Sequence, residues 1–231
     1  MSDAGATATR PNRRRVGILI SGGGSNMAAL IAASKAPDYP AEIVLVVSNR
    51  PNAGGLDKAR AAGVATAVVD HKLYSGREEF DRAVHAELIA ADVEIVCMAG
   101  FMRIVSPWFA AQWTDRMLNI HPALLPSYTG LHTHARALKD GVKIHGVTVH
   151  FVRVELDVGP IIVQAAVPVL DDDTEATLAA RILTQEHKIY PAALAWVASG
   201  RARVVRREDG GEVVRIDTDR AAPAALVSPP L

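Results

Sequence analysis

Val16-Gly17-Ile18-Leu19-Ile20-Ser21-Gly22-Gly23-Gly24-Ser25-Asn26-Met27-Ala28-Ala29-Leu30-Ile31 decides the fold class of this chain. Residues 16–20 are a short, continuous apolar run, as expected of a strand covered on both faces. A glycine-rich turn follows at once, and Met27–Ala33 reads as a helix. A strand, a glycine loop and a helix start together form a place where backbone N–H groups and the helix dipole bind phosphate. The loop is not a Walker A loop, because no Gly-Lys-Ser/Thr follows. It is a poor dinucleotide fingerprint, since Met27 stands where the third glycine belongs and the next strand ends in Ser48-Asn49-Arg50 without an acid for a ribose. Two readings stand level: a generic phosphate or oxyanion cradle, and a tight turn that needs glycine for its dihedrals.

Outward from that stretch, short apolar strands alternate with helices. Glu42–Val47, Val64–Val69, Glu94–Ala99 and Met117–Ile120 read as strands, and Ala53–Ala62 and Arg77–Ala90 as helices. Ser106-Pro107 resembles an N-cap with proline in the first turn. This alternation predicts parallel βαβ units, an α/β fold with a mostly parallel twisted sheet flanked by helices. Past Pro126 the pattern changes. A loop leads to a helix over Ala135–Lys139, and Gly146–Val154 and Ile161–Val169 alternate as an antiparallel pair extending the sheet. Thr174–Val197 is helical, capped by Asp173 or Thr174, and Pro191 inside it is expected to kink or split it. Arg203–Val205 and Glu212–Ile216 predict a terminal hairpin. The division is therefore a disordered leader over 1–14, one domain over 15–200, and a hairpin with a loose tail over 201–231.

The bulk properties narrow the function. With 231 residues, 49% of them hydrophobic, the chain supports one substantial core. A formal net charge of zero speaks against nucleic acid as partner. No apolar stretch approaches a membrane span, and the leader lacks the apolar run of a signal peptide. The single cysteine, Cys97, sits in an apolar run and reads as a small buried hydrophobe. A reducing, cytoplasmic location is expected.

The chemistry concentrates at Asn119-Ile120-His121-Pro122. In a strand, residues i and i+2 share a face, so Asn119 and His121 point the same way, and Pro122 turns the chain. An amide donor beside an imidazole at a strand end stabilises a developing oxyanion; the plainer alternative is a strand end hydrogen-bonded to its loop. Asp157, in a loop bounded by glycine and proline, is the natural third member, because a carboxylate orients an imidazole. Five histidines fall between 121 and 150, but their spacing lacks a metal pattern and no metal is expected.

Taken in order, these stretches resemble the phosphoribosylglycinamide formyltransferases. The matching pieces are Ile20–Asn26, Ala99–Ile104, Leu118–Pro126, Gly130–His134, Gly146–Phe151, Glu155–Asp157 with Gly159-Pro160, and Thr184–His187 with Tyr190-Pro191. The resemblance implies formyl transfer from 10-formyltetrahydrofolate, a co-substrate, to the amine of glycinamide ribonucleotide, with no metal. It implies Asn119, His121 and Asp157 as the catalytic set. Gly24, Ser25, Asn26, Leu183, Thr184, Gln185 and Glu186 would meet the ribonucleotide. Arg77, Met102, Arg103, Ile104, Val105, Asn119, Arg153, Val154, Glu155, Leu156 and Asp157 would hold the folate. A cis bond at Leu125–Pro126 and a monomer or weak homodimer are also implied. Val158 stands where the family often has glycine, and Ala123 where it often has serine, so the Asp157 loop is expected to differ in dihedral freedom. A formyltetrahydrofolate hydrolase and other formyltransferases share the core and are the alternatives.

Overall fold

The computed structural model describes residues 13–217 and 228. Seven strands form one sheet in the order β3-β2-β1-β4-β5-β6-β7. Parallel pairing joins β1 (Arg14–Ile20), β2 (Ala41–Ser48), β3 (Ala65–Val68), β4 (Ile95–Met98) and β5 (Met117–His121). The last two, β6 (Ile144–Phe151) and β7 (Ile161–Pro168), are antiparallel. The helices are α1 (Ser25–Ser34), α2 (Gly54–Ala61), α3 (Arg77–Ala90), α4 (Pro107–Gln112), α5 (Thr133–Asp140) and α6 (Glu175–Ala198). Element types agree with the sequence reading, and most ends shift by a residue or two, the usual latitude of helix and strand ends.

Alternation along β1 explains the two-sided core. Val16, Ile18 and Ile20 pack with Met27 and Leu30 of α1 and with Leu178, Ile182 and Tyr190 of α6. Leu19 faces the other side, with Val47, Phe80, Val84, Leu88 and Phe109. Strand order reverses between β1 and β4, and ligands of such sheets bind at the carboxyl ends of the strands there. The glycine loop after β1, the segment 99–105 after β4 and His121 at the end of β5 all lie on that edge.

Three expectations need correction. Arg14 is not leader but the first residue of β1, and its backbone N–H donates to Pro40; residues 1–12 lie outside the described residues, as does the tail at 218–227 and 229–231. The strand predicted over Gly146–Val154 ends at Phe151, because the chain beyond is drawn into the Asp157 loop. Finally, α6 is not split at Pro191. Proline removes one helical N–H, a local cost of about 3 kcal/mol. Here the surrounding turn is buried: Tyr190 donates to the carbonyls of Met98 and Leu118 at 2.9 and 3.2 Å, and Tyr39 donates to the Pro191 carbonyl at 2.7 Å. Packing outweighs propensity.

The terminal hairpin is present as β8 (Ala202–Arg206) and β9 (Glu212–Ile216), a separate two-stranded sheet. Ala202, Val204, Val214 and Ile216 seat it on the core. Among the described residues, no helix is long and apolar enough to cross a membrane.

Candidate active site

The register between β5 and β6 sets the site. Asn119 lies across from His150, and His121 from Thr148. Directly opposed residues on one face touch, and Asn119 Nδ2 approaches His150 Nε2 at 3.4 Å. His150 Nδ1 donates to the Phe151 carbonyl at 2.9 Å, leaving Nε2 as an acceptor. Burial lowers the His150 pKa, with its bond to Phe151 and the charge of Asp157 acting the other way. The neutral ring therefore receives the Asn119 amide and fixes which end of that side chain is the donor. The 3.9 Å separation of His150 Nε2 from Asp157 Oδ1 is then an approach of two acceptors, not an ion pair.

His121, 6% exposed, donates from Nε2 to the Tyr128 carbonyl at 2.8 Å. Its Nδ1 stands 3.5 Å from Asp157 Oδ2. Asp157 is 8% exposed and takes a left-handed φ of 58°, which aspartate tolerates better than most residues. The Gly130 N–H donates to Asp157 Oδ2 at 2.9 Å, tying the loop to the segment after the Leu125–Pro126 bond, which is cis. Thr148 holds that segment: its hydroxyl accepts from Leu125 N at 3.0 Å and donates to the Ala123 carbonyl at 2.6 Å. Asn119, His121 and Asp157 are thus brought together, with His150 between Asn119 and Asp157.

The strained position in the Asp157 loop is Asp157 itself; Val158 is not among the residues with positive φ. The replacement noted in the sequence therefore leaves the backbone unstrained, and the Val158 side chain is 61% exposed. What the loop does require is Gly159. A Cβ there would sit 1.7 Å from the Phe151 carbonyl oxygen, and the Phe151 N–H closes the loop on Pro160 at 2.9 Å.

At the other end of the edge, Gly24 caps α1 with φ 68° and lies so close to Gly55 that a Cβ would meet its Cα at 3.0 Å. A Cβ on Gly22 or Gly23 would meet nothing within 4 Å, so those glycines leave open space above the backbone. A ligand phosphate fits such a helix start. Asn26 Nδ2 donates to Glu186 Oε2 at 2.6 Å, and the buried Asn26 Oδ1 has no partner. Burial raises the Glu186 pKa, while Asn26, His187 and His121 draw it down, so this pair lies within electrostatic reach of His121. Leu183, Thr184 and Gln185 precede Glu186 on α6, and Gln185 donates to Thr184 at 3.2 Å. Ser25 is exposed at the start of α1.

A cavity of about 40 Å³ lies beside Asn119 and Asp157. Arg103, Ile104, Val105, Asn119, Arg153, Val154, Glu155, Leu156 and Asp157, all among the residues named from the sequence, line it together with Met98, His150 and Val152. Met102, 61% exposed, and Arg77, at the start of α3, lie outside its lining. Among the described residues no cluster of side chains could hold a metal ion.

His150 was not among the predicted site residues; sequence reasoning counted it among the clustered histidines and within the matching stretch Gly146–Phe151. The signal was available in part: Thr148 and His150 alternate on one face of β6 as Asn119 and His121 do on β5, and pairing them needed only the register.

The formyl transferase family model matches residues 14–194. Phosphoribosylglycinamide formyltransferase of Escherichia coli is 47% identical over 187 residues, covering 81% of this chain and 88% of that protein. The human trifunctional purine biosynthetic protein adenosine-3 is 51% identical over 192 residues, which are 83% of this chain but only 19% of that protein. The chain thus spans about a fifth of the trifunctional relative's length. The crystal structure of phosphoribosylglycinamide formyltransferase from Brucella melitensis has a TM-score of 0.78 and 55% identity, covering 81% of this chain and 97% of that one.

Proposed function

This chain belongs to the formyl transferase family, and we propose that it transfers the formyl group of 10-formyltetrahydrofolate to the amine of 5′-phosphoribosylglycinamide. The products are formylglycinamide ribonucleotide and tetrahydrofolate, a step of purine biosynthesis. The observation that carries this reading is the union of an amide donor, an imidazole and a buried carboxylate next to a glycine-loop phosphate cradle, on one edge of the sheet.

The chemistry follows from the donors. A neutral amine attacks the formyl carbon, which becomes tetrahedral while its oxygen gains negative charge. Asn119 Nδ2, aimed by His150, donates to that oxygen; one such donor typically contributes ~3–4 kcal/mol. His121 lies between two acceptors, the Tyr128 carbonyl and Asp157 Oδ2. A ring with two N–H groups satisfies both and presents positive charge to the oxyanion. Asp157 holds that ring and passes the attacking amine's proton to the departing folate nitrogen, through water. The C–N bond to the amine forms in the addition step; collapse of the oxyanion then breaks the bond to the folate nitrogen, which leaves carrying the proton.

The ribonucleotide phosphate rests on Gly24, Ser25 and Asn26, with Leu183 to Glu186 beneath the sugar. The folate ring enters the cavity between Arg103–Val105 and Arg153–Asp157, and Arg77 and Met102 flank its outward end. The enzyme works in the cytoplasm as a monomer or weak homodimer, without a metal. The test is tetrahydrofolate release by purified protein given both substrates. Release only when glycinamide ribonucleotide is present supports the reading; release of formate without it points to a hydrolase, and no release refutes both.

A further inference from the structure

We propose that Glu212, on the terminal hairpin, is a positioning residue for the loop Arg153–Asp157, acting through the Arg153 guanidinium; this rests on the formyl-transfer reading above. Sequence reasoning placed Arg153 among folate contacts. Three of its guanidinium N–H groups are engaged within the protein. Nε donates to Glu212 Oε2 at 2.8 Å, one terminal nitrogen to Asp115 Oδ1 at 2.6 Å, and the other to the Val152 carbonyl at 3.1 Å. Asp115 lies in the turn just before β5, the strand that carries Asn119 and His121. One cation therefore joins the root of β5, the start of the Asp157 loop and β9.

The loop has little else to hold it. Val154, Leu156 and Val158 are 52%, 51% and 61% exposed, so apolar burial does not fix its path. A second cavity of about 410 Å³ is lined by Val154, Glu155, Val158 and Pro160 of the loop, together with Arg153 and with Glu212 of the hairpin. The loop is anchored at its far end by the Phe151–Pro160 bond and from the front by Gly130 N–H to Asp157. Arg153 is the anchor at its near end. Its side chain is 21% exposed and that of Glu212 is 27%, which shields the pair from the screening that makes open surface pairs weak. Glu212 also approaches Arg206 at 3.7 Å, so a second cation helps keep it charged. The hairpin lies beyond residues 14–194, where the family model matches. It is nonetheless part of the working enzyme, because it sets the stem from which the folate wall and Asp157 project.

The test compares the full-length wild-type protein with Glu212→Ala, Glu212→Gln and, as control, Arg203→Ala, which breaks the exposed Arg203–Asp217 pair on the same hairpin. In Glu212→Ala the KM for 10-formyltetrahydrofolate should rise about fivefold or more, the scale that a part-buried charged hydrogen bond supports. The KM for the ribonucleotide should stay within about twofold, Glu212→Gln should fall between, and Arg203→Ala should match the wild type. Amides of residues 153–158 should exchange with solvent about tenfold faster in Glu212→Ala. A wild-type folate KM in Glu212→Ala, or both KM values rising together with a loss of melting temperature, overturns the positioning role. Absence of formyl transfer in the wild type sinks the earlier reading instead, and the exchange comparison still decides the clamp.

Discussion

His145 makes the stability of this fold depend on acid in a way that one substitution isolates. The ring is 1% exposed, stacked edge-on against Tyr128 and His134 with centroids 5.5 and 5.6 Å away, and its Nε2 has no partner. Burial, then the neighbouring His134 and His121, push its pKa down from 6.5 to about 4, against a hydrogen bond to the Pro122 carbonyl. The folded state therefore binds this proton less readily than the unfolded chain. The contribution is fully present above pH 6.5, is lost as pH falls toward 4, and is constant below that. Each tenfold change in proton affinity is worth about 1.4 kcal/mol, so the full effect is about 3 kcal/mol and the loss between pH 7 and pH 4.5 about 2 kcal/mol. Urea unfolding at those two pH values measures it, for the wild type and for His145→Gln, which keeps a donor for Pro122 but does not titrate. Other groups respond to acid too, burial lowering His134 and His150 and raising Asp81 and Glu186, but they are common to both proteins. The wild type should lose about 2 kcal/mol more than the variant on acidification. Parallel losses would refute the claim that His145 is held neutral by the fold.

Further outcomes follow from the site. Asn119→Ala and His121→Ala should lower turnover by ~100-fold or more with little change in ribonucleotide binding; near-normal kcat in either removes that group from oxyanion stabilisation. Asp157→Asn should lose activity and change the pH profile of kcat/KM, and an unchanged profile excludes it from the proton path. Thr148→Val strands the buried Leu125 N–H and Ala123 carbonyl, and should cost about 3 kcal/mol in urea unfolding; a loss under about 0.5 kcal/mol would mean the segment after His121 is held otherwise.

How much of this was readable in the sequence depended on the range of the interactions. The glycine loop, the α1 start and the strand end at His121 were legible because each is set by neighbours within a few residues. Gly24 needs its positive φ, and Pro122 ends the ladder at His121. The α/β order was legible because both faces of β1 are buried, which demands the continuous apolar run Val16–Ile20 apart from Gly17. Pro191 does not split α6 because helix propensity is local whereas the bonds of Tyr190 and Tyr39 are not. His150 was hidden because its role exists only in the β5–β6 register. The tie from Arg153 to Asp115 and Glu212 was hidden because those partners are 38 and 59 residues away. The concern over Val158 dissolves in the same way: the strained dihedral belongs to Asp157, one residue earlier.

The central claim is that this edge of the sheet moves a formyl group from a folate nitrogen to a ribonucleotide amine. Following a ¹³C-labelled formyl carbon by NMR tests it most directly. With both substrates and enzyme, the label should leave the folate and appear as a formamide carbon on glycinamide ribonucleotide, at a rate lost in Asn119→Ala. Label recovered as free formate, or retained on the folate, would contradict the account.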